Sequence, residues 1–226
     1  MEPVADRPRV SAGFFFLSLG VIASLEVLAA LVPTPPETVT ALWTKVILLR
    51  ALETGCVLLL AARFRPGLSS LGLRRKGILP GILRGILWGL CFLVLVAAVG
   101  AALVLVWHFP LRRAFAGGLP GFGNWEALAS YLFAGTVVAG ISEEIIFRGL
   151  VFGFLRRWGL ALALIVSTAL FAFIHGAAPY TQIVGGLLFG LSYEKEKNLV
   201  VPITLHAGGN FMLYALGLYL SGRIAW

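Results

Sequence analysis

Seven stretches of this chain, at 12–32, 40–62, 79–107, 126–155, 159–176, 180–193 and 198–221, are dominated by apolar residues. Most reach the roughly 18 to 20 residues with which a helix crosses a bilayer. None alternates with the dyad period of a membrane barrel strand. A backbone that lies in lipid must satisfy its own hydrogen bonds, and without barrel strands the helix is what remains. Composition agrees: 59% of the residues are hydrophobic and 12% charged, with a mean hydropathy of +0.95, against about half and a quarter in soluble domains. The expected fold is all-α, a polytopic transmembrane bundle of about seven spanning helices. Breakers separate the runs at Pro33, Pro35 and Pro36, at Arg65-Pro66-Gly67 and at Gly117-Gly118-Leu119-Pro120-Gly121. No linker or repeat divides the chain, so residues 1–124, the first helices, and residues 125–226, which hold the reactive motifs, form one structural domain.

The formal charge of +8 would suit nucleic acid if the bases lined one face. They sit instead in short clusters between apolar runs, which is a topology signal, and nucleic acid is not an expected partner. Arg7, Arg9, Arg63, Arg65, Arg74, Arg75, Lys76, Arg156, Arg157, Lys195 and Lys197 fall on one side of the expected bundle, and Arg112, Arg113 and Arg223 on the other, a ratio of eleven to three. Cytoplasmic loops carry such an excess. The N-terminus is therefore expected in the cytoplasm and the C-terminus outside, in a multi-pass protein of a bacterial or archaeal cell membrane. The run Phe14–Val32 is longer than the apolar core of a signal peptide, and it is read as a retained span although Ala29-Ala30-Leu31 imitates a cleavage site. Cys56 and Cys91, the only cysteines, lie inside apolar runs as small hydrophobes. Gly81, Gly85 and Gly89, at four-residue spacing, offer a neighbouring helix a close approach.

A charge near the bilayer centre costs at least about 2.5 kcal/mol on insertion scales and needs a partner or a task. Glu26, Lys45, Arg50 and Glu53 form one such group; Arg50 and Glu53, three apart on a helix, can pair and point to a structural network. The second group begins at Glu143-Glu144, whose side chains diverge by about 100° on a helix, with Arg148 one turn beyond Glu144 on the same face. It continues with Phe171-x-x-x-His175, closing the fifth run, and His206-Ala-Gly-Gly-Asn210, which puts an imidazole and a carboxamide on one helical face with two glycines leaving the approach open. At a rise of about 1.5 Å per residue, Glu143 and His175 stand about 22 and 26 Å above the turn at Trp158, and His206 returns to a similar depth.

A carboxylate beside an imidazole in a low-dielectric pocket can deprotonate water, and a second imidazole with an amide N–H one turn away can hold the oxyanion formed when that water attacks an amide. The chemistry points to peptide hydrolysis. No nucleophile elbow is present, and Ser142 has no evident base. Glu143, His175 and His206 could alternatively bind a divalent metal such as zinc with one position open. There is no His-Glu-x-x-His helix, and Arg148 already offsets one carboxylate, so no cofactor is expected.

Glu143-Glu144-x-x-x-Arg148, Phe171-x-x-x-His175 and His206-x-x-x-Asn210, in this order on separate apolar helices, resemble the three motifs of the CPBP family, the CAAX-processing and bacteriocin-processing (Abi) intramembrane endopeptidases. The resemblance covers about residues 125 to 215. It implies Glu143 and His175 activating water, His206 and Asn210 as the oxyanion site, and Glu144, Arg148 and Phe171 in support. The implied partners are membrane lipid and a protein or peptide with a hydrophobic or lipidated C-terminal segment. The family's prenyl proteases usually have eight helices, so seven leave open a prenylated terminus, a bacteriocin-type peptide or the sorting helix cut by a myxosortase-like enzyme. A non-proteolytic immunity or transporter-like protein with a buried polar network is the alternative; transporter repeats are not found.

Overall fold

The structure is a computed structural model that describes residues 10–32, 39–64, 67–108, 122–176 and 180–221. Arg7, Arg9, Arg65, Arg112, Arg113 and Arg223, the turn prolines Pro33, Pro35, Pro36 and Pro66, and the glycine-rich segment 117–121 lie outside the described residues. Among those residues the fold is all-helical, with seven helices: α1 (Ala12–Leu31), α2 (Val39–Arg63), α3 (Ile78–Trp107), α4 (125–158), α5 (Leu160–Ile174), α6 (Tyr180–Glu196) and α7 (Val200–Leu220). Ala12–Leu31 and Gly67–Val106 are long and apolar enough to cross a membrane by length and composition, and Leu160–Ile174 is a shorter apolar helix.

Local chemistry sets the helix ends. The side chain of Asn124 accepts a hydrogen bond from Ala127 N at 2.8 Å and opens α4. Gly159, at φ +120°, separates α4 from α5, and Gly176, at φ +78°, follows the end of α5. Pro202 sits in the first turn of α7, where its missing N–H costs nothing. Helix α6 runs three residues beyond the apolar limit at Tyr193, because the charges that read as a loop find partners. Glu194 pairs with Arg156 at 3.1 Å and Lys197 at 2.6 Å, and Glu196 with Arg84 at 2.7 Å.

Helix α4 is not regular. Its α-helical parts, Trp125–Phe133, Ala139–Glu144 and Gly153–Leu155, are joined by π-helical turns at Ala134–Val138 and Ile145–Phe152, and it closes in a 3-10 turn at Arg156–Trp158. Such wide turns are rare and concentrate at functional sites.

Packing explains how the site helices are held. On α3, a Cβ at Gly81 would meet Val200 Cβ at 2.7 Å, and one at Gly85 would meet Thr204 Cβ at 2.6 Å. The glycines therefore seat α7 directly on the α3 backbone, while Leu79, Leu83, Leu87 and Val94 of α3 face outward, each at least 60% exposed. One core joins α1, α2 and the lower half of α4 through Phe14, Phe15, Val57, Leu150 and Phe152; Phe147, Phe171, Phe189 and Leu205 form a second, smaller one. The end of the bundle where the bases gather is laced together. Arg157 donates to the Val10 carbonyl, Asn198 Nδ2 donates to Gly77 O at 2.6 Å, and Leu199 N donates to Gly72 O at 3.1 Å.

The first charge group is the network its spacing suggests. Arg50 Nη1 lies 2.6 Å from the fully buried Glu53 and 2.8 Å from Glu26 of α1, and Lys45 Nζ donates to Val32 O at 2.9 Å. These contacts tie α1 to α2.

Candidate active site

The second charge group converges where α4, α5 and α7 meet, above the smaller aromatic core. Successive positions on α4 send Glu143 and Glu144 in different directions. Glu144 is fully buried, and its Oε1 accepts from Arg148 Nη1 at 3.0 Å and lies 2.8 Å from Nδ1 of His206. Glu143, 18% exposed at its side chain, places Oε2 3.6 Å from Nε2 of His175 and 3.9 Å from Nε2 of His206. That oxygen is shielded from solvent and makes no hydrogen bond among the described residues.

Arg148, also fully buried, shows how a cation is kept in such a place. Besides Glu144 it reaches Gly186 O on α6 at 3.2 Å, and its guanidinium carbon stands 4.5 Å from the ring centre of Phe171 and 5.1 Å from that of Phe189. Ion pair, carbonyl and aromatic faces together offset the loss of water. A Cβ at Gly186 would lie 2.8 Å from Thr168 Cγ2, so this glycine also lets α6 approach α5.

The two imidazoles are oriented from behind. His175 caps α5, and its Nδ1 lies 2.7 Å from Phe171 O one turn earlier; a carbonyl only accepts, so Nδ1 carries the proton and Nε2 faces Glu143. His206 is 3% exposed, its Nδ1 faces the Glu144 carboxylate, and its ring stacks on Phe189 at 4.7 Å between centres with planes 14° apart. Phe171 thus serves twice, through its ring against Arg148 and its carbonyl against His175.

Asn210 lies one turn beyond His206 on α7. Its Nδ2 donates to Gly135 O at 2.7 Å, and an amide turned the other way would set two oxygens against each other. Gly135 belongs to the first π-helical turn, and a Cβ there would lie 2.6 Å from the Tyr214 ring; at Gly140 a Cβ would lie 3.0 Å from Ala207 Cβ. Two glycines of α4 therefore bring α7 into register. Ser142 Oγ donates to Val138 O at 2.8 Å and is turned into its own helix.

The structure brings Glu143, Glu144, Arg148, Phe171, His175 and His206 into one connected cluster and sets Asn210 beside it against Gly135. Phe147, Phe189, Gly135, Gly140 and Gly186 complete the surroundings and carry no catalytic signature in the sequence. The glycines could be flagged as helix-interior glycines in need of a packing reason; a phenylalanine in an apolar helix reads simply as core. Among the described residues no three His, Cys, Asp or Glu side chains are grouped so as to hold a metal ion.

Residues 124–212, which contain every residue of the cluster and Asn210, match the family described as type II CAAX prenyl endopeptidase Rce1-like. No curated protein and no solved structure gives a significant match.

Proposed function

We propose, taking as premise that residues 124–212 are a segment of the Rce1-like family, that this chain is a multi-pass membrane endopeptidase that uses Glu143 to activate water. The family match supports the class, a CAAX-type protease; the mechanism rests on the side chains. The observation that carries it is the pairing of Glu143 Oε2, shielded and without a hydrogen bond, with His175 Nε2 at 3.6 Å, while Nδ1 of that imidazole is engaged by Phe171 O. Two acceptors facing each other suit one water that donates a proton to each.

Glu143 takes a proton as the water oxygen attacks the scissile carbonyl carbon, and the resulting C–O⁻ turns towards His206 Nε2 and the second N–H of Asn210. Collapse breaks the C–N bond, the proton passes from Glu143 to the leaving nitrogen, and a carboxylic acid and an amine result, the acid then giving its proton to the amine. Donation from both nitrogens of His206 requires an imidazolium. No step needs a cofactor.

Membrane placement is supported by the two helices that pass the test for spanning and by outward-facing apolar side chains such as Leu59, Leu105 and Phe173, all over 70% exposed. The N-terminus and the laced basic end are assigned to the cytoplasm by the excess of Lys and Arg. The substrate is a protein or peptide with a hydrophobic or lipidated C-terminal segment. The direct test incubates the purified protein with a fluorogenic peptide bearing an S-farnesyl cysteine near its C-terminus, and with its unmodified counterpart, and maps the products by mass spectrometry. Cleavage by the wild type and none by Glu143→Gln is expected. Equal cleavage by both would end the glutamate mechanism.

A further inference from the structure

Glycine inside a helix is destabilising relative to alanine, so each one calls for a reason. For Gly81, Gly85, Gly135, Gly140, Gly186 and Gly190 the reason is packing, because a Cβ would meet a neighbour at 2.6 to 3.0 Å. Gly208 and Gly209 differ: both are exposed, and a Cβ on either meets nothing within 4 Å among the described residues. Open space alone identifies nothing, since Gly20, Gly55 and Gly100 are equally open.

What sets Gly209 apart is its position. On α7 it follows His206 by three residues and lies about 60° from it around the helix, on the flank opposite Asn210, whereas Gly208, two residues after His206, points about 200° away. Two polar groups stand at that face. His206 is 3% exposed and its Nε2 approaches Glu143 only to 3.9 Å, beyond hydrogen-bond distance; Oε2 of Glu143 makes no hydrogen bond among the described residues. Across from them the end of α5 is open, with His175 and Gly176 exposed. A peptide stretched within the membrane must pair its own N–H and C=O groups, and a helix that carries no side chain beside these atoms lets its backbone come closest to them.

We infer that Gly209 is the point where the extended backbone of the substrate crosses α7, held against the helix so that the scissile carbonyl reaches His206 and Asn210. The inference rests on the proteolytic reading above and adds to it a specificity-determining position. It also predicts an opposition of signs. Because nothing fills the space, Gly209→Ala and Gly209→Leu fold as the wild type does, with a melting temperature in detergent unchanged or raised, while the added side chain stands in the substrate's way.

The test measures kcat and KM on the farnesylated and unmodified peptides for the wild type, Gly209→Ala, Gly209→Leu and Gly208→Leu. Gly209→Leu is expected to raise KM about ten-fold or more, with Gly209→Ala intermediate, while Gly208→Leu stays near the wild type. A KM for Gly209→Leu within about two-fold of the wild type overturns the inference and leaves the protease reading intact. Equal impairment of the Gly208 and Gly209 leucine variants overturns it as well, since that would be an effect of helix composition. A wild type that cleaves neither peptide withdraws the reading and the inference together.

Discussion

Nδ1 of His206 lies 2.8 Å from Oε1 of Glu144, a contact between residues 62 apart in sequence that joins α7 to α4 inside the bundle. The same oxygen accepts from Arg148 Nη1, so two buried groups share one acceptor. Glu144 therefore sets the tilt of an imidazole whose far nitrogen faces Glu143, and in the proposed mechanism it would act through His206.

Such a buried pair is costly to break and less costly to replace. Arg148→Ala leaves the Glu144 carboxylate buried opposite only an imidazole, and a loss of about 3 to 5 kcal/mol of stability is expected. The double variant Glu144→Leu/Arg148→Met, similar in volume and without charge, is expected to recover most of that stability and none of the activity. Thermal melting in detergent and peptide cleavage on the same preparations check both parts.

Glu143 makes no hydrogen bond that its own oxygens need for folding, so Glu143→Gln is expected to insert and melt as the wild type does while losing about two or more orders of magnitude in rate. Exhaustive chelation is expected to leave wild-type activity intact, and elemental analysis to find no stoichiometric zinc. Activity lost on chelation and restored by one added divalent ion would move Glu143, His175 and His206 to ligand roles.

The α3–α7 contact gives the opposite case to Gly209. At Gly85 a Cβ would meet Thr204 Cβ at 2.6 Å and the Val201 carbonyl at 2.8 Å, and a backbone atom cannot step aside. Gly85→Val is expected to cost about 1 to 3 kcal/mol, as overpacking does, and to lower activity only through the fraction folded. A melting curve identical to that of the wild type would show that the two helices do not need this approach.

Topology is tested by reporter fusions. One at Gly118 is expected to report an external location and one at Glu196 a cytoplasmic one, because the excess of Lys and Arg lies on the side of Glu196. The reverse pattern would turn the bundle over and place the reactive cluster nearer the cytoplasm.

The seven apolar runs locate all seven helices to within about three residues, since hydropathy and breakers act locally and leave their mark in composition. Arg148 beside Glu144 was legible for the same reason, as i,i+4 spacing fixes a shared face. The partner of His206 was not: whether Glu143 or Glu144 meets it depends on the azimuth of α4, which the π-helical turns alter without any breaker residue to announce them. Phe189 under His206 and Gly135 beneath Asn210 were hidden too. Their roles exist only once α6 and α7 have packed, and an apolar ring or a glycine looks the same whether it supports a reactive group or fills space.

The two π-helical turns of α4 also govern how that helix can be compared and mutated. Each adds a residue to a turn relative to the α-helical ladder and so resets the angular phase of everything that follows. A substitution scan along α4 read against a single 3.6-residue template would lose phase twice, at Ala134–Val138 and at Ile145–Phe152. Deleting one residue in the first of these turns would leave every other side chain chemically intact, yet swing the upper segment, Trp125–Phe133, away from the face that Glu143 and Glu144 present.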